Sequence, residues 1–407
     1  MSDEDVPHVG PLSPPTRVLL APGPTNLPPA VTQALMAGLT GHKDPYFLSV
    51  MDQIAQLMRY AFMTQNRTTM SLPGTGGAGM EAAMANLIQP GDSVVVGNNG
   101  LFASRMSEIV GRCGGDLVQV DAEWGRPVDP GDVERALSRK KTRVVALVHG
   151  ETSTGVEQPI DEIGRIAERH GAMLVVDAVA TLGGIPVEPD RWGASICYSA
   201  SQKCLSAPPG LAAITVSDDT MAYIRGREKP VDCWYLDLDL HDRYWFAPER
   251  AYHHTAPVLM GYALHEALRL VAEEGLEARF ARHRLHSRAL VAGLESLGVE
   301  LFADPAHRLA TVISIVVPEG VNDARVRGSL LNEYGIEISG GLGAQTGKMW
   351  RVGVMGYSAS RENMIYFLDA LETLLTREGY WNGSGVAKAA AEAVYASDAQ
   401  NGANPPA

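Results

Sequence analysis

Short apolar runs bounded by turn residues alternate with amphipathic stretches through most of the chain. That alternation predicts an α/β fold with a mainly parallel sheet. Strands are expected at 93–97 (SVVVG), 116–120 (DLVQV), 143–150 (RVVALVHG), 172–179 (AMLVVDAV), 196–200 (ICYSA) and 211–216 (LAAITV). Between them lie helical patterns. In one, Ile160, Ile163, Ile166 and Ala167 recur at helical spacing with Asp161, Glu162, Arg165 and Glu168 on the other side, and Gly171 marks the stop.

After roughly residue 270 the pattern changes to a long Arg- and Glu-rich helix, strand-like segments at 309–317 (LATVISIVV) and 350–354 (WRVGV), and a helix near 361–376. This predicts a smaller C-terminal α+β domain. The expected organisation is an N-terminal extension at 1–18, a large domain at 19–270, the small domain at 271–381 and a loose tail at 382–407. The tail is rich in Ala and Gly, with AKAAAEAVYA able to form a transient helix.

Composition narrows the class. A chain of 407 residues, 45% hydrophobic and 20% charged, can bury a large core. A net charge of −13 without a run of Lys or Arg argues against a nucleic-acid partner. The acidic, Pro-rich start carries no signal-peptide pattern, and no stretch of about 20 apolar residues predicts a membrane span. Cys113, Cys197, Cys204 and Cys233 lack CxxC spacing, which predicts reduced thiols, no metal site and a cytoplasmic location.

Three features carry candidate chemistry. The string Gly74-Thr75-Gly76-Gly77-Ala78-Gly79 opens a helical pattern and fits a phosphate cup at a helix N-terminus. A tight structural turn and a dinucleotide site remain open, although the next strand ends in Asn98 and Asn99 rather than the acid a ribose needs. Asp177 closes an apolar strand, where α/β folds place ligands; it either meets a cationic partner or caps the next helix. Lys203 follows the strand ICYSA among small residues; it is either a desolvated Schiff-base former or a surface lysine. An anion cup, a strand-end acid and then such a lysine is the order that a pyridoxal-phosphate site requires.

The chain resembles the class V aminotransferases, and within them the alanine–glyoxylate and serine–glyoxylate (serine–pyruvate) enzymes. The resemblance runs from about Leu19 to Leu375 and rests on LLAPGPTNLPP, PGTGGAGMEAA, VHGETSTGVEQPID, VVDAVATLGG, SASQKCLSAPPGL, AYHHTAPV and GGLGAQTGKMWRVGVMG. It implies the aspartate-aminotransferase-like fold (fold type I) with a mainly parallel seven-stranded sheet, and pyridoxal 5′-phosphate as cofactor. By matching position, Lys203 would form the internal aldimine and Asp177 would face the pyridine nitrogen. Thr75, Gly76, Gly77 and Gln202 would hold the phosphate, and Thr152 would lie near the ring's phenolic oxygen. Phe102, in NNGLFASR, stands where relatives carry a stacking tryptophan. Tyr252 and Thr255 would reach the phosphate of a neighbouring subunit, implying a homodimer with shared sites. Arg351 would clamp the substrate carboxylate, and Gly23, in Ala21-Pro22-Gly23-Pro24, would belong to a tight substrate wall.

The implied reaction is a ping-pong transfer of the amino group of alanine or serine to glyoxylate or pyruvate. Ureidoglycine, pyridoxamine or 2-aminoethylphosphonate as donor, and a non-catalytic dimeric binding module, are the alternatives. A cysteine desulfurase would need a Cys after Cys233 and ahead of Arg351, and there is none.

Overall fold

The computed structural model describes residues 9–403, with side chains to residue 400. Its centre is a seven-stranded sheet built from β1 (Thr68–Pro73), β2 (Ser93–Asn98), β3 (Asp116–Asp121), β4 (Val144–Val148), β5 (Met173–Asp177), β6 (Ala194–Ala200) and β7 (Leu211–Val216). The spatial order is β1-β7-β6-β5-β4-β2-β3. Only β7 runs antiparallel to its neighbours. The interior strands are apolar because helices cover both faces; every residue of β4 and of β7 is buried. β3 lies at an edge and is largely exposed, so it tolerates the polar alternation of DLVQVD.

Because β7 is antiparallel to both β1 and β6, the C-terminal ends of β1, β4, β5 and β6 open on one edge of the sheet. That edge is where parallel sheets bind ligands. β1 escaped the sequence pattern because TTMSLP is hydroxyl-rich; Thr69 Oγ1 meets Thr215 Oγ1 of β7 at 2.8 Å, so its polar groups are satisfied inside the sheet.

A second core surrounds the antiparallel strands Val312–Val316, Met349–Gly353 and Ser339–Gly340, with Trp350 fully buried at its centre. Helices Leu276–Ser296 and Arg361–Arg377 contribute Leu290, Leu294, Phe367 and Leu371 to it. Val18 and Leu19 pair with Ile336 and Glu337, and Leu20 is buried in this core. The first residues of the segment assigned by sequence to the large domain therefore pack with the C-terminal region.

The tail departs from expectation. Val386–Ala403 is a helix whose Ala387, Ala391 and Tyr395 are buried against the second core. Gly293 permits this approach, since a Cβ there would meet Leu368 Cδ1 at 2.4 Å and the Ala387 carbonyl at 3.0 Å. The buried Glu372 carboxylate accepts the N–H groups of Val386 and Ala387, both at 3.2 Å, and Tyr395 Oη lies 3.0 Å from His286 Nδ1. Low hydrophobicity hid the helix, because alanines supply its inner face. Residues 404–407 lie outside the described residues. All four cysteines are unpaired, and no described helix is long and apolar enough to cross a membrane.

Glu372→Ala should lower unfolding stability by about 1–3 kcal/mol, the cost of two helix-start donors losing their acceptor. Denaturant titration would measure this, and an unchanged midpoint would show that the tail helix adds nothing to the fold.

Candidate functional site

At the carboxyl edge of the sheet lies a cavity of about 140 Å³ lined by Thr75, Gly76, Gly77, Phe102, Thr152, Asp177, Gln202 and Lys203. These are eight of the residues singled out from sequence, brought together from five strand ends.

β1 delivers the first three. The chain turns at Gly74 (φ +134°), where a Cβ would meet Ala78 Cβ at 2.5 Å, and enters helix Gly76–Leu87 with Thr75 extended at its N-cap. A Cβ on Gly76 would sit 2.9 Å from Val179 Cγ2, so only glycine lets this turn close against the loop after β5. The helix N-terminus, with its partial positive charge, faces the cavity and suits an anion.

β2 delivers Phe102, in the first turn of helix Leu101–Arg112. No side chain of that turn caps it; Glu151, from beyond β4, does so instead. Its Oε2 accepts from the N–H groups of Phe102 at 3.0 Å and Ala103 at 3.3 Å. Its Oε1 accepts from Ser153 N at 2.9 Å and Ser153 Oγ at 2.7 Å. Burial raises the Glu151 pKa, and these hydrogen bonds oppose the rise. The same network fixes Thr152, next in sequence, in the cavity wall. Arg105, one turn after Phe102, holds its guanidinium 5.0 Å from the Phe102 ring centre and also lines the cavity.

Asp177, at the end of β5, is 3% exposed. Its Oδ1 accepts from Val179 N at 2.8 Å, and its Oδ2 accepts from the Tyr198 hydroxyl at 2.9 Å. Burial outweighs these two hydrogen bonds and lifts its pKa to about 7, with smaller opposing effects from the Glu151 and Lys203 charges. Lys203, just past β6, donates to the Pro22 carbonyl, and burial lowers its pKa to about 8, helped by the Arg351 charge. Gly23 (φ +89°) lies against it so closely that a Cβ would approach Lys203 Cδ to 2.4 Å. The buried Gln202 Oε1 has no hydrogen-bond partner among the described residues.

Arg351, on Met349–Gly353, is buried beside the cavity rather than in its lining. Its Nε donates to the Gly340 carbonyl at 2.8 Å and its Nη1 to the Thr152 carbonyl at 3.1 Å. That leaves the remainder of a five-donor fork uncommitted. Tyr252 and Thr255 stand apart: Tyr252 is 57% exposed, and neither lines the cavity of its own chain.

Sequence reasoning missed Arg105, Glu151 and Tyr198. Arg105 could have been found from its i+3 spacing to Phe102. Tyr198 could not, since it meets Asp177 only through the β5–β6 register.

A lysine shifted in this way reacts as a free amine at lower pH than usual. Reductive methylation of Lys203 by formaldehyde, followed by peptide mass spectrometry, should rise with pH through about 8 and level off above it. A rate still climbing steeply toward pH 10.5, the ordinary lysine value, would show that burial does not shift the amine.

Residues 17–363 match the family model of class-V aminotransferases. The (S)-ureidoglycine–glyoxylate transaminase of Bacillus subtilis (strain 168) is 38% identical over 94% of this chain and 96% of its own. Alanine–glyoxylate aminotransferase from Nostoc sp. superposes with a TM-score of 0.90 at 41% identity, over 92% of this chain and 99% of that one. Pyridoxamine–pyruvate aminotransferase from Mesorhizobium loti gives 0.89 at 30% identity, over 94% and 97% of the two chains. With that family match and this fold, the chain belongs to the class V aminotransferases.

Proposed function

We propose that this aminotransferase holds pyridoxal 5′-phosphate in the described cavity and moves the amino group of alanine or serine to glyoxylate or pyruvate in two half-reactions. The observation that carries the reading is the pairing, in one cavity, of an amine lowered to about 8 with a buried acid raised to about 7. The residues present fit the cofactor. Asp177 is a buried carboxylate short of positive charge, Gln202 has an unpartnered oxygen, and the glycine cup excludes side chains where a phosphate would sit.

In this reading Thr75, Gly76, Gly77 and Gln202 hold the phosphate, Phe102 covers the ring, Thr152 lies by the phenolic oxygen and Asp177 faces the pyridine nitrogen. When bound, the cofactor supplies a protonated ring that takes up the electron pair left by the departing substrate proton. Asp177 keeps that proton in place, and its own pKa falls once it faces a cation. Lys203 Nζ would hold the cofactor's aldehyde carbon at rest and, as a free amine, would take the substrate's α-proton and hand it back. Arg351 turns its free N–H groups to the substrate carboxylate. Gly23 packs on Lys203 without room for a Cβ, and by its resemblance to the family's tight substrate wall it would suit a small side chain on the substrate. Tyr252 and Thr255, exposed in one chain, would reach the phosphate end of the neighbouring subunit's site, making the working unit a homodimer. Four unpaired cysteines suit a cytoplasmic enzyme.

A second reading, with (S)-ureidoglycine as donor, draws support from the Bacillus relative, which spans 94% of this chain. One spectral titration separates the two. Protein loaded with pyridoxal 5′-phosphate is mixed in turn with alanine, serine, (S)-ureidoglycine, pyridoxamine and 2-aminoethylphosphonate, then with glyoxylate. Loss of the bound cofactor's visible band with alanine or serine, and its return with glyoxylate, is the expected result. Loss with another donor alone would move the substrate assignment to that donor, and no band at all would remove the cofactor. Lys203→Ala should lower turnover by at least about 10²-fold, the lower range for a positioned acid–base group. Turnover close to wild type would reassign the proton carrier.

Arg351→Ala should raise KM for the amino acid by roughly 10–100-fold, equivalent to about 1.5–3 kcal/mol for a charged hydrogen-bond pair. An unchanged KM in steady-state kinetics would place the carboxylate clamp elsewhere.

A further inference from the structure

Cysteine spacing predicts no metal site, yet the described residues hold a buried trio of histidines well apart from the cavity lining. His241, His253 and His254 each offer one ring nitrogen, all within 4.8 Å of one another. His241 comes from helix Leu238–Phe246, and the other two come from the segment that carries Tyr252 and Thr255.

Hydrogen bonding fixes two of the tautomers. His241 Nε2 lies 2.9 Å from the Tyr235 carbonyl, and His253 Nε2 lies 3.3 Å from the Trp234 carbonyl. A carbonyl only accepts, so both Nε2 atoms carry protons and both Nδ1 atoms present bare lone pairs. An outer N–H bound to a backbone carbonyl is the arrangement that orients a metal-ligating histidine. His241 Nδ1 is buried without a partner among the described residues. His253 Nδ1 and His254 Nδ1 face each other at 2.9 Å. A hydrogen bond between those two would still leave His241 Nδ1 unmet, whereas a cation would satisfy all three. Nitrogens about 2.0–2.1 Å from a tetrahedral zinc lie roughly 3.4 Å apart, a spacing this trio brackets. The Tyr244 hydroxyl is also buried and without a partner among the described residues, and its ring lies 4.9 Å from that of His254. Trp234 and Tyr235 cover His253 and are themselves exposed, so the cluster lies one ring below the surface.

We propose that His241, His253 and His254 form a structural site for a divalent transition metal such as zinc, tying helix Leu238–Phe246 to the segment bearing Tyr252 and Thr255.

The test uses untagged, full-length, cofactor-loaded protein, dialysed against a chelator and then incubated with zinc chloride. One zinc per chain should survive gel filtration, and the thermal midpoint should rise. His241→Gln and His254→Gln should each lose the bound zinc and the rise. Cobalt(II) in the wild type should give the visible d–d bands of a four-coordinate site in the metal-minus-apo difference spectrum. Uptake that both variants retain, or less than stoichiometric uptake by the wild type, would overturn the site. Should the variants fail to fold, absence of the cobalt bands in the wild type would overturn it by itself.

Discussion

Two ionisable groups, Asp177 and Lys203, are forced out of water at one edge of one sheet, and much of the surrounding structure serves that constraint. Desolvation pushes the acid up to about 7 and the amine down to about 8, so each approaches neutrality from its own side. Left alone, such a pair would invite water or distort. Here Asp177 is held by one backbone N–H and one tyrosine hydroxyl, and Lys203 by the Pro22 carbonyl. The arrangement preserves reactivity because neither group has a full ion-pair partner among the described residues.

The sheet produces this geometry through its single antiparallel strand. With β7 reversed, β1 points the same way as β4, β5 and β6, and the glycine turn after β1 lands beside Asp177 and Lys203. Gly76 then closes the gap to Val179. A second polar device, Glu151, ties two layers together: its carboxylate caps the helix that carries Phe102 while its neighbour Thr152 faces the cavity. Arg351 reaches the Thr152 carbonyl from the second core. A path of hydrogen bonds and adjoining residues thus joins the helix that carries Phe102, the loop beyond β4 and the C-terminal strands.

Periodicity made six of the seven central strands legible, the interior ones by apolar runs and the edge strand β3 by its alternation of polar and apolar residues. It failed on β1, where Thr68 donates to Asp242 and Thr69 meets Thr215 in a place that apolar residues usually fill. It also failed on the tail, where small alanines pack closely enough to bury a helix that hydropathy reads as loose. The cavity residues were legible through local strings: the glycine run, the strand-end Asp177 and the small-residue setting of Lys203. Residues acting across elements were not. Tyr198 serves Asp177 by register, and Glu151 serves Phe102 from a different loop; neither relation leaves a mark in nearby sequence.

The shared and variable parts of the site explain why family membership alone leaves the donor open. On the proposed reading, groups around the ring and the α-carbon would meet the same atoms whichever amine enters, so Asp177, Lys203 and Arg351 would carry no information about what lies beyond the α-carbon. Discrimination must come from the walls, where a methylene is worth only about 1–3 kcal/mol, but a buried polar group left unpaired is worth far more. One feature of this cavity can exert such selection. Arg105, beside Phe102, contributes a cation that a polar or anionic substituent would satisfy and a methyl group would not. On the proposed reading, alanine and serine would leave Arg105 unengaged, whereas a ureido or phosphonate group would engage it. The donor therefore turns on whether Arg105 is already neutralised by its surroundings or left to be paired by substrate.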